Sequence, residues 1–236
     1  AQRVRGTDWW MVFVEIAIVV LGILIAFQLD RYGDWRQARR DEQQLMGQIA
    51  EEATDGARAL RFFGDQHRES AVNFRLLTDA VHDPGAARRY AERGEAGCNL
   101  LRLPAVQRQS AGAIAQAVGP RIELIRDSRL RELLRSAESD RQFAERQLEF
   151  FRANFLIYGE TIEPHMDWSF TGKDEETHCT VDLHTLASDK KAIALLPKLA
   201  RDHLRFASYR DGEQRDLEMV VKRIQCLQSR QCKPDL

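Results

Sequence analysis

The residues able to do chemistry fall into four sets: four cysteines, a histidine-bearing stretch, polar residues on inward helix positions and one carboxylate inside an apolar run. Cys98, Cys179, Cys226 and Cys232 are even in number and lie outside or at the ends of the helical segments. In an oxidising compartment they form two disulfides with three possible connectivities. The expected pairs are Cys226 with Cys232, closing a short loop, and Cys98 with Cys179, tying two connectors together. Free thiols and a metal site are the other readings, although no CxxC pair supports a compact zinc site. His165, His178, Cys179, Asp182 and His184 gather in one stretch and include metal-capable groups, which is the basis of an alternative reading as a metal-dependent enzyme using residues 165–184. Their spacing forces no convergence, so no metal is expected there. His67, Arg141, His203 and Arg210 fall instead on inward positions of helices. A protonation near pH 6 at the two histidines would act on the core, and a satisfied core imidazole is the plainer reading.

No GxGxxG, P-loop, GxSxG, HExxH or EF-hand pattern occurs, and the expectation is of no enzyme and no cofactor. With 35 basic against 36 acidic residues the formal net charge is -1, which argues against nucleic acid as a partner. A composition 44 % hydrophobic and 30 % charged is globular, but the apolar residues are unevenly spread. From Trp9 to Leu29 the one ionised residue is Glu15.

That run of about 21 residues spans the roughly 30 Å hydrocarbon core at about 1.5 Å per residue. Trp9 and Trp10 mark one interface, and Tyr32 and Trp35 with Asp30, Arg31, Asp34 and Arg36 mark the other. A signal peptide is the rival reading, but no small-residue cleavage site follows Leu29. The division expected is a short tail over 1–8, a transmembrane helix over 9–29 and a helical-bundle domain over 30–236. Glu15, Gly22 and Ala26 lie within about 20° of one line on a helix. Gly22 and Ala26 make a small-xxx-small pair, so this stripe suits close packing against a second copy or another membrane subunit. The alternative is that Glu15 reaches toward the headgroups without a partner. The Lys and Arg count around the span favours a cytoplasmic domain and the cysteines a periplasmic one; the periplasm is the expectation.

Past the span, steps of three and four give Met46, Ile49, Ala53, Gly56, Leu60, Phe63, His67, Ser70, Phe74, Leu77 and Val81, one stripe that keeps its phase across Gly64 with no proline until Pro84. One helix is expected to about Val81, ended by Asp83-Pro84-Gly85 and followed by a connector to Pro104. A shorter helix spans about Ala105 to Val118. A long one begins near Asp127 with the stripe Leu130, Leu134, Ala137, Arg141, Ala144, Leu148, Phe151, Phe155 and Tyr158. Residues 159–188 read as an irregular loop, with no strand expected. A last helix runs from about Asp189 to Gln228 and should bend at Pro197. The fold expected is all-α: an N-terminal transmembrane helix continuous with a long helix of an antiparallel bundle.

Two stretches carry a likeness. Glu15 through Gln28 with Trp35, and Pro104 and Ser110 through Leu124-Ile125-Arg126-Asp127 with Leu130 and Leu134, resemble, in the same order, a bacterial family of single-span proteins classed as a domain of unknown function. The resemblance implies an N-terminal tail inside, one span and a helical extracytoplasmic domain in the bacterial inner membrane, and implies no activity. Many such proteins have a strongly basic tail, where this chain has Arg3 and Arg5. The function expected is a membrane-anchored accessory or interaction subunit, with membrane lipid and other membrane subunits or a second copy as partners. A sensor-like bundle binding a small ligand between helices is the alternative of a different class.

Overall fold

The computed structural model describes residues 7–92, 113–171, 176–229 and 232. Its first element, α1, is a single helix from Thr7 to His82, 76 residues long, which is about 114 Å at the α-helical rise. No proline interrupts it, and its interior glycines are too few to outweigh the packing of its second half. The first third is apolar and exposed on nearly every side. Beyond it, Leu45, Ile49, Ala53, Leu60, Phe74 and Leu77 are buried. They recur every three or four residues and so form one face.

Asp83 ends α1 and starts α2 (Pro84–Ala91), its carboxylate accepting the Gly85 and Ala86 N–H groups at 3.0 and 3.1 Å. The Pro84 signal thus serves twice: proline stops one helix and suits the first turn of the next, where its missing N–H costs nothing. The expected connector is helical in this part. Residues 105–112 of the expected short helix lie outside the described residues; Ala113–Val118 form α3, followed by a 3-10 turn at Ile122–Leu124. Two carboxylates of α1 hold this region: Glu52 accepts the Ile114 N–H at 3.2 Å and buried Glu42 accepts the Arg126 N–H at 2.8 Å.

Helix α4 runs from Ser128 to Ile162 with Asp127 as N-cap. It passes through Gly159, which has open space around it, so that Ile162 adds another turn to the buried stripe. The expected irregular loop is corrected here. After a 3-10 turn (Glu163–His165) the chain forms an antiparallel hairpin, β1 (Met166–Thr171) with β2 (Glu176–Val181), in the register Met166 to Val181 and Thr171 to Glu176. Its aromatic, Thr and Val residues favour extended backbone, and six residues per strand are too few for alternation to stand out in sequence. A short α5 (Leu183–Ser188) precedes α6 (Lys190–Ser229), which continues through Pro197.

The three long helices make the bundle. Arg61 pairs with Glu218 and Arg68 with Asp211, so α6 is antiparallel to α1; Asp127 pairs with Arg223 and Tyr158 with Lys198, so α6 is antiparallel to α4 as well. The apolar core divides in two. One cluster, nearer the span, joins Leu45, Ile49, Leu130, Leu134, Val220 and Ile224; the other, farther out, joins Phe74, Leu77, Phe151, Phe155, Leu196 and Phe206.

Asp127 joins two elements at the near end. It accepts the Leu130 N–H at 2.7 Å and takes Arg223 bidentately at 3.0 and 2.7 Å. Loss of a cap costs about 1 kcal/mol and loss of a half-buried bidentate pair a comparable amount. Asp127→Ala should therefore lower unfolding stability in mild detergent by about 2 kcal/mol, and Asp127→Asn, which keeps the cap, by about half as much. Equal denaturation midpoints for wild type and Asp127→Ala would show that this junction does not hold α4 in place.

Candidate functional site

Between the two apolar clusters lies a polar layer that the helices share. From α1 comes His67, from α6 His203, Arg210 and Glu213, all buried. The two imidazoles meet Nδ1 to Nδ1 at 3.0 Å. One ring must donate and the other accept, and with both rings neutral they hold opposite tautomers. Neither Nε2 has a hydrogen-bond partner among the described residues, because aromatic rings fill the surroundings. Phe206 lies 5.7 Å from the His67 ring, while Phe74 and Phe151 lie 5.6 and 5.3 Å from that of His203. Burial first, then the charges of His203 and Arg210, depresses His67 to about 3; burial depresses His203 to about 4.

About two helical turns nearer the apolar run, Arg210 donates to Glu213 at 2.8 Å, leaving the Glu213 Oε1 buried without a partner among the described residues. Burial raises the Glu213 carboxyl above its ordinary range, against the pull of Arg210. Arg141 on α4 faces this pair but bonds within its own helix, to Glu138 at 2.8 and 2.7 Å and Glu145 at 2.6 Å. It is half-buried rather than inward. Nearby, burial and a hydrogen bond with Asp140 raise Asp216 to about 6.

Of the inward residues expected from sequence, His67, His203 and Arg210 are thus brought together, and Arg141 stands at their edge. Glu213, Glu138, Glu145 and the Asp140/Asp216 pair were missed. For Glu138, Glu145 and Glu213 the signal was available as acids three or four residues from Arg141 or Arg210, but that spacing is also common on solvated faces, and Asp140 and Asp216 have no such spacing. In the hairpin region His165 lies 3.2 Å from both the Thr185 hydroxyl and the Asp189 carboxylate, and Asp182 caps α5. Among the described residues no group of three or more His, Cys, Asp or Glu converges to hold a metal ion.

Cys226 and Cys232 form a disulfide, with Cα atoms 4.9 Å apart. Cys179 is also disulfide-bonded, and its expected partner, Cys98, lies outside the described residues. Glu15, Gly22 and Ala26 share one exposed face of α1, and nothing approaches the Gly22 Cβ position within 4 Å. Compared with protein-family models, curated proteins and solved structures, the chain matches none.

Both histidines have a folded pKa below their ordinary 6.5. Their contribution is therefore complete above pH 6.5 and is lost as pH falls toward 4, by up to about 1.4 kcal/mol per pH unit for each ring. Glu213 and Asp216 are raised and act in the opposite sense, costing stability as they ionise. Replacing both imidazoles (His67→Leu with His203→Leu) should flatten the acid limb of a plot of melting temperature against pH between 6.5 and 4.5. An unchanged limb would assign acid sensitivity to other groups. At Asp216 the sign reverses: Asp216→Asn should raise the melting temperature by about 2–4 °C at pH 8 and leave it unchanged at pH 3, below the ordinary carboxyl pKa of 3.8. Equal shifts at both pH values would remove ionisation of the half-buried Asp216 as the cause.

Proposed function

We propose that this protein is a membrane-anchored, non-enzymatic accessory or interaction subunit of a bacterial membrane complex, docking through its transmembrane helix and projecting its bundle to contact neighbours. The observation that carries this reading is the continuity of α1. An exposed stretch long and apolar enough to span a membrane runs without a break into the helix that supplies a wall of the core. A flexible tether is what a freely diffusing enzyme would need. A rigid rod that fixes the bundle relative to the span instead suits a subunit whose two parts contact one assembly.

Within the span, Gly22 and Ala26 would admit a partner helix at close range, and Glu15 on the same stripe would gain a hydrogen-bonding partner there. The disulfides favour the periplasmic side of the inner membrane for the bundle, since they persist in oxidising compartments.

Photo-crosslinking side chains placed at Gly22 or Ala26 should capture protein in cells, identified by mass spectrometry, while the same group at Leu24 on the opposite face should capture lipid. Gly22→Leu should abolish the protein crosslink formed from position 26. A stable monomer in mild detergent, together with lipid alone captured from positions 22 and 26, would overturn the docking reading.

A further inference from the structure

The segment of α1 just beyond the apolar run sorts its charges by face. Taking 100° per residue, Tyr32, Trp35, Arg36, Arg39, Arg40 and Gln43 fall within about 140° of arc, and Asp30, Asp34 and Asp41 fall on the opposite side. Trp35, Arg36, Arg39, Arg40 and Gln43 line an open groove of about 470 Å³. None of these three arginines has a carboxylate partner among the described residues, although acidic residues flank them in sequence.

The guanidinium groups of Arg36 and Arg39 turn back toward the span. Arg36 lies 4.9 Å from the Tyr32 ring centre and Arg39 lies 5.4 Å from that of Trp35, while Arg31 sits 4.8 Å from Phe27. Each stacks on the residue four positions earlier, as the tilt of side chains toward a helix N-terminus requires. At about 1.5 Å per residue, the charges of Arg36 and Arg39 therefore lie about 5 and 9 Å beyond Leu29, within or beside a headgroup layer of roughly 5–8 Å. The ring faces take one side of each guanidinium and leave its N–H edges open, the edges that chelate phosphate oxygens.

We propose that this basic and aromatic groove binds the phosphate of anionic phospholipid headgroups in the leaflet from which α1 emerges. Two features select lipid over a free anion: the groove adjoins the apolar run, and its charges point down toward the bilayer surface. Bound there, the headgroup sets the depth and rotation of α1, and through the unbroken helix the orientation of the bundle. This rests on the reading of residues 9–29 as a membrane span.

The test is native mass spectrometry of the full chain released from mixed micelles of phosphatidylglycerol and phosphatidylcholine. Wild type should retain phosphatidylglycerol preferentially, and the preference should fall roughly fivefold for each arginine replaced in the series Arg36→Gln, Arg39→Gln, Arg40→Gln. A control triple, Arg135→Gln, Arg152→Gln and Arg205→Gln, removes equal charge from exposed arginines of α4 and α6 and should leave the preference intact. The proposal is overturned if wild type shows no preference, if the control loses it equally, or if millimolar inorganic phosphate displaces the lipid from wild type. Failure of the span itself is read separately, as release of wild-type chain from membranes by alkaline carbonate; with the span sound, the triple groove variant stays in the membrane pellet.

Discussion

Because α1 leaves its apolar third with no break in the i to i+4 hydrogen-bond ladder, whatever packs on residues 45–80 is fixed relative to residues 9–29 by backbone geometry alone. Bending such a rod needs a proline, a bulge or an inserted side chain, and α1 carries no proline. Everything else in the molecule is assembled on this rod. Helix α6 returns along it in a register set by Arg61 with Glu218, Arg68 with Asp211 and His67 against His203. Glu42 and Glu52 reach from it to catch the backbone that leads into α4.

The polar layer across the middle of the bundle runs against the economy of an apolar core. Two imidazole nitrogens and one carboxylate oxygen with no hydrogen-bond partner among the described residues are each costly in a dry interior, by about 1–3 kcal/mol. What the layer supplies is register: a slip of one turn between α1 and α6 would separate the two Nδ1 atoms and place an imidazole against Leu or Phe alone. Apolar stripes tolerate such slips because Leu against Leu is nearly the same contact one turn along. A histidine pair does not.

Much of the fold was legible from residue spacing. The stripes of α1, α4 and α6 follow a period near 3.6 over many turns, and Asp127 and Pro84 are local signals whose chemistry does not depend on distant residues. The hairpin was not legible: its strands are short, and their extended backbone is stabilised by cross-strand pairing that a sequence window does not contain. The loop expected from residue 159 begins instead after Ile162, although Gly159 is a poor helix former in isolation. The buried Ile162 beyond it outweighs that local preference.

Residue spacing alone therefore defines the division into an apolar run and amphipathic helices, and the identity of the inward positions His67, His203 and Arg210. Periodicity is a property of one chain segment and needs no partner to be seen. Which inward groups meet was decided only by the tertiary structure. His67 and His203 are 136 positions apart, and Asp216 acquires its raised pKa from burial between helices and from Asp140 on another helix. Pairing and burial depend on the register between helices, which is the sum of many weak contacts across all three and is written at no single position.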